Sequence, residues 1–113
     1  MQLVESITIA ELKSMTNNMY DDLVKAVVDT EKNIMMVDAS MHVDEEQALL
    51  EEGSRQEDLW GINLYPEDFG TDDFIEYDSM INIRPAQNNR SRGVEDEAIR
   101  KQIAQIVHGI VHE

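Results

Sequence analysis

Leu59-Trp60-Gly61-Ile62-Asn63-Leu64-Tyr65, followed after an acidic loop by Phe74-Ile75-Glu76-Tyr77-Asp78-Ser79-Met80-Ile81-Asn82-Ile83, decides how this chain is read. The loop between them, Pro66 to Asp73, holds a proline, a glycine and four acids, a turn composition. If a hairpin is centred on that loop, opposite residue numbers sum to about 139. Trp60 then opposes Ser79, Ile62 opposes Tyr77 and Leu64 opposes Ile75 on one face. Gly61 with Asp78, Asn63 with Glu76 and Tyr65 with Phe74 make the other. The first face is mainly apolar and the second mainly polar, as an antiparallel sheet with one solvated side requires.

Working outward, Leu23 to Asp29 and Ile34 to Asp38 are short apolar runs around the polar turn Thr30-Glu31-Lys32-Asn33. They read as a second hairpin, and its strands are interior ones because only Lys25 interrupts their apolar faces. Thr8 and Glu11 have capping-box spacing, with Ile7 and Leu12 placed as a hydrophobic staple. Leu12, Met15 and Met19 continue at helical spacing, so a helix is predicted over about 9–20, ending near Asn17-Asn18. A second helix opens at Asp44, with Gln47 three residues on, Glu45 and Glu46 suiting the positive helix end, and Gly53 closing it. Its core residues are Ala48, Leu49 and Leu50. After Arg84-Pro85 ends the last strand, a third helix over about 96–111 carries the stripe Ile99, Ile103, Ile106, Val107, Ile110. The prediction is one α+β domain over residues 1–113, in the order α-ββ-α-ββ-α. Its sheet is four-stranded and mainly antiparallel, with the helices packed on one face.

The chain has 113 residues, 42% of them hydrophobic, enough for one modest core. It contains no cysteine, which removes disulfides, thiol nucleophiles, thiolate zinc sites and iron–sulfur clusters. No apolar run reaches the roughly 18 residues of a membrane span, and no basic-then-apolar leader pattern opens the chain. A cytoplasmic location is the expectation. Nine Lys and Arg against 24 Asp and Glu give a net charge of −15. That charge repels phosphates and anionic lipid, so neither nucleic acid nor membrane is an expected direct partner. Glycine-rich phosphate loops and nucleophile-elbow patterns are absent, and no cofactor is implied.

The charge is uneven. Residues 84–93 hold Arg84, Arg90 and Arg92 and no acid, and they lead into a helix start. One reading is an anion or partner-carboxylate site, since guanidinium forks suit carboxylate and phosphate and helix N-termini attract anions. The other is internal, with these arginines neutralising acids such as Glu76 and Asp78. Arg55, Gln56 and Asn63 could line a polar pocket with Asn82 and Arg84, or could belong to a solvated loop and an open sheet face. Trp60, in phase with Ile62 and Leu64, reads as core. The 84–93 segment is expected to fold back beside the Trp60 turn, making one cationic spot on an anionic body.

His108 and His112 stand four apart on a predicted helix, but no zincin pattern accompanies them and no metal site is assigned. His42 reads as structural or surface. Glu67, Asp68, Asp72, Asp73, Glu76 and Asp78 lack EF-hand spacing and read as a solvated acidic loop. The methionines read as adaptable core filler.

Gly53-Ser54-Arg55-Gln56-Glu57-Asp58-Leu59-Trp60-Gly61 and Ile81-Asn82-Ile83-Arg84-Pro85 carry a resemblance. So do Val24 to Asp29, Asn63, Tyr65-Pro66, Ile75-Glu76, Ser79 and Asn89-Arg90-Ser91. Together they resemble a family of small bacterial and archaeal proteins known only as a domain of unknown function, over about residues 20–111. The resemblance implies no activity. Family members carry glycine near Asp38-Ala39 and Asn88, where this chain does not.

Two functional classes stay open. One is a non-enzymatic binding or regulatory module offering an acidic surface to a basic protein, of which an antitoxin-like half of an operon pair is one form. The other is a small-ligand or anion-binding protein or enzyme, with Arg55, Gln56, Asn63, Asn82, Arg84, Asn89 and Arg90 as its polar site. Self-association is expected in either case from unprotected sheet edges.

Overall fold

The computed structural model describes residues 1–16 and 22–113. In chain order the elements are β1 (Gln2–Val4), β2 (Ile7–Thr8), α1 (Ile9–Thr16), β3 (Val24–Asp29), β4 (Ile34–Val37), α2 (His42–Glu51), β5 (Leu59–Leu64), β6 (Ile75–Glu76), α3 (Glu97–Ile110) and β7 (Val111–His112). Short 3-10 turns cover Gln56–Asp58, Pro66–Asp68, Met80–Asn82 and Pro85–Gln87. The class is α+β with a five-stranded antiparallel sheet, ordered β1-β4-β3-β5-β6.

Three local expectations hold. Thr8 and Glu11 exchange bonds reciprocally, the Glu11 N–H donating to Thr8 Oγ1 and the Thr8 N–H to Glu11 Oε1, each at 3.1 Å. Ile7 and Leu12 are buried beside that cap. The β3–β4 hairpin forms around residues 30–33, where Asp29 Oδ1 accepts from the Glu31 and Lys32 N–H groups at 2.9 Å each. Both strands are interior, flanked by β1 and β5. The β5–β6 register is the expected one, Asn63 opposite Glu76 and Leu64 opposite Ile75. Met19 and the predicted helix end at Asn17-Asn18 lie outside the described residues.

Other expectations are corrected. The sheet has five strands because Gln2–Val4, too short for a periodic signal, pairs with β4. Ile7–Thr8 and Val111–His112 form a separate two-stranded parallel clip. The second hairpin pairs over only two residues, after which the chain leaves the sheet and turns at Met80–Asn82. Helices cover both faces of the sheet. Leu12 and Met15 of α1 and Ile103, Ile106, Val107 and Ile110 of α3 join Val24, Ala26, Val28, Trp60, Ile62 and Leu64 in the larger core. On the opposite face Leu49 of α2 packs with Val27, Met36 and Leu59. This second layer explains why β3 is apolar on both sides. Finally, α2 starts at His42 after Met41, which offers no side-chain cap, so Asp44 is a first-turn acid rather than the cap.

Candidate functional site

The two sequence blocks around Trp60 and Arg84 meet at the outer edge of β5. Beyond its short pairing with β6, β5 would leave Gly61 with a bare N–H and C=O. The Asn82 side chain takes both, its Oδ1 accepting from Gly61 N–H at 2.8 Å and its Nδ2 donating to Gly61 C=O at 2.9 Å. Asn82 Nδ2 also donates to Arg92 C=O at 3.0 Å. This is why Asn82 is fully buried. The approach is tight: a Cβ on Gly61 would fall 2.5 Å from Ser79 Cβ and 2.6 Å from its Oγ.

Asn89 holds the arginine loop in the same way. Its Nδ2 donates to Asn82 C=O at 2.7 Å and Gly93 C=O at 2.8 Å, and its Oδ1 accepts from Glu95 N–H at 2.8 Å. Asn88, just before it, has φ +60°, and Asp38 has φ +67°. Asn and Asp are the residues that best tolerate the left-handed conformation.

Arg84 crosses from the loop to the Trp60 turn. Its Nη1 donates to Gln56 C=O, its Nη2 donates to Leu59 C=O at 2.8 Å, and its guanidinium carbon lies 4.2 Å from the Trp60 ring centre. Gln87 Nε2 adds a bond to Glu57 C=O at 3.1 Å. The expected fold-back of 84–93 onto the tryptophan turn is therefore present. Burial lowers the Arg84 pKa, and Glu46 and Asp58 pull it back up.

The remaining candidates are dispersed. Arg92 Nε pairs with Asp78 Oδ1 at 2.6 Å, and Arg55 pairs with its neighbour Glu57 in solvent. Arg90 is exposed. The backbone N–H groups of Arg90 and Ser91 donate to Glu95 Oε2 at 2.6 and 2.9 Å, which lowers the Glu95 pKa. Asp96 caps α3 by accepting from Ala98 N–H at 2.8 Å. The protein's own carboxylates thus sit where an anion at this helix entrance would. Asn63 Nδ2 donates to Glu76 Oε1 at 2.8 Å and to the C=O of Asp78, the partner of Arg92, at 3.3 Å, and it bonds no arginine itself. The structure brings together Asn82, Arg84 and Asn89 as a bracket for backbone carbonyls, with the Gln56 carbonyl among those held, and leaves Arg55, Asn63, Arg90 and Arg92 at its margins.

Sequence reasoning missed a polar row on the buried side of α2. His42, Glu45 and Glu46 are all buried under this helix. His42 Nε2 lies 2.8 Å from Ile62 C=O, and burial lowers its pKa. Glu45 is fully buried and pushed up to about 10, because burial outweighs the Ala39 N–H bond and the fields of Lys25 and the N-terminus. Glu46 is also raised by burial, against the Gln56 amide and Arg84. The signal was present: 42, 45 and 46 precede Leu49 by seven, four and three, the spacing of one helix face. Placing all the acids at the positive helix end obscured it. His108 and His112 do not share a helix face, since α3 ends at Ile110 and His112 lies 2.7 Å from Ser6 Oγ.

Among the described residues no group of three or more His, Cys, Asp or Glu is placed to hold a metal ion, and no helix is long and apolar enough to cross a membrane. No curated protein and no solved structure matches the chain. A family model described as "Protein of unknown function (DUF5674)" matches residues 2–110, and the chain belongs to that family.

Proposed function

We propose that this protein is a non-enzymatic binding module that presents an acidic body to a basic protein partner. One observation carries this reading. Of nine cationic side chains, seven are bonded within the molecule: Lys13, Lys32, Arg55, Arg84, Arg92, Arg100 and Lys101. The other two face acids at longer range, Lys25 towards Glu45 and Arg90 towards Glu95. Asp29, Glu45 and Glu46 are buried, but most of the 24 acids lie at the surface, including exposed Asp72 and Asp73 on one loop. A field of one sign steers oppositely charged partners and speeds their association.

The polar bracket supports the same reading from the other side. Arg84 Nη1 and Nη2 and the Asn82 and Asn89 amides donate to the chain's own carbonyls, which supports a structural role for these residues, while Arg84 Nε is buried without a partner. An antitoxin-like role is one form of this module. The test is affinity capture from native lysate at low and moderate salt. Recovery of a basic protein that elutes as salt rises supports the module. Recovery of nothing, or of a partner held equally at high salt, contradicts it.

A further inference from the structure

The two edges of the main sheet are treated differently. The β5–β6 edge is covered by the chain itself: Asn82 closes β5 at Gly61, and Ser79 N–H donates to Arg92 C=O at 2.9 Å. The β1 edge carries no such cover among the described residues, because β1 is the last strand and pairs only with β4. Its residues include no proline or lysine to discourage pairing. Met1 and Leu3 are 60% and 45% exposed there.

A groove opens on each side of that edge. On the α2 face one is lined by Met1, Ala39, Asp44, Gln47, Ala48 and Glu51. On the α3 face another is lined by Glu5, Asn33, Gln102, Gln105, Ile106 and Ile110. The first begins at the start of β1 and the second lies past its end. Side chains of an extended strand alternate between faces, so a strand laid along β1 and on past Val4 would turn one set of residues towards the first groove and the alternate set towards the second. Both grooves mix apolar carbon with carboxylates, and neither contains a cation.

We infer that the β1 edge receives an extended basic segment of the partner protein as a sixth strand, its lysine or arginine residues reaching Asp44 and Glu51 on the α2 face and its alternate apolar residues facing Ile106 and Ile110 on the α3 face. This rests on the acidic-module reading and adds to it the docking site and binding mode. Charge complementarity selects this occupant over a second copy of the chain, which would bring another −15 to the same edge.

The experiment uses a synthetic octapeptide alternating lysine and valine, a version with two central residues changed to proline, and the intact protein. At low salt the alternating peptide should bind and slow amide exchange at residues 2–4, while the proline version binds about tenfold more weakly. The pair Asp44→Lys/Glu51→Lys should weaken binding about tenfold. The pair Asp72→Lys/Asp73→Lys makes the same change in net charge on the remote loop and should cost no more than about threefold. Unfolding curves confirm that both variants are folded. Equal binding of the two peptides, equal loss in the two variants, or protection at 2–4 by self-association without peptide would overturn the edge proposal. If a captured basic partner protects amides elsewhere than 2–4, the edge proposal falls and the acidic module stands. If neither peptide binds and no partner is captured, the module itself falls.

Discussion

Asn82 meets Gly61 as a strand neighbour would: one side-chain amide satisfies both backbone groups of a residue at the open edge of β5, at 2.8 and 2.9 Å. The chain therefore closes an edge without a strand, and the arginine loop is anchored to the closure through Asn89 and Arg92.

Asn82→Ala should destabilise by about 2–4 kcal/mol, because it strands buried backbone groups at Gly61 in a pocket without water access. Asn82→Asp should cost at least as much, since it replaces the donor facing Gly61 and Arg92 carbonyls with an acceptor. Urea unfolding measures both, and stability within about 0.5 kcal/mol of wild type would refute the clamp.

Gly61→Ala tests the same junction sterically. The new methyl falls inside the contact distance of Ser79, which is itself fixed by its bond to Arg92. A loss of about 2–4 kcal/mol is expected. A neutral result would mean that the 79–82 turn shifts freely and is not held by Asn82.

The α2 underside sets a pH dependence. Glu45 has a raised folded pKa, so between about pH 4.5 and about pH 10 the unfolded chain has released a proton that the folded one keeps. Stability contributed by Glu45 is therefore full below the unfolded value and falls as pH rises. His42 works in the opposite sense: with its folded pKa lowered, acidification below about 6.5 protonates the unfolded chain first and costs stability. Thermal melts across pH should show Glu45→Gln stabilising by about 1–3 kcal/mol at pH 8, with a flatter alkaline limb. A variant that instead loses stability there would show that the carboxylate is ionised and needed.

The left-handed turns offer a finer test. Asn88→Gly should be neutral or stabilising by up to about 1 kcal/mol, whereas Asn88→Val should cost about 1–2 kcal/mol. Melting temperatures that fall equally in both variants would mean that the Asn88 side chain, rather than its backbone, holds the turn.

Much of the fold was legible because its signals were local. The Thr8–Glu11 cap, the 30–33 turn, the α3 stripe and the 139 register each depend on residues close in sequence. The second face of α2 was overlooked although its spacing was present, because His42, Glu45 and Glu46 are residues that ordinarily face water and only Leu49 adds an apolar residue to the buried stripe. The β1 strand was missed because three residues cannot establish a period of two. At the site, sequence placed Arg84 beside Trp60 correctly. The sequence offered the arginines an external anion or internal acids such as Glu76 and Asp78; Arg92 meets Asp78, whereas Arg84 meets the Gln56 and Leu59 carbonyls, because the turn before β5 is brought there by tertiary packing.

The direction in which the 84–93 loop spends its donors is decided most directly by urea unfolding of Arg84→Ala, with and without added phosphate. Losing the bonds to Gln56 and Leu59 and the cover over Trp60 should cost about 2–4 kcal/mol, and phosphate should stabilise neither protein. Unchanged stability, with phosphate stabilising wild type alone, would contradict this and make Arg84 a ligand contact.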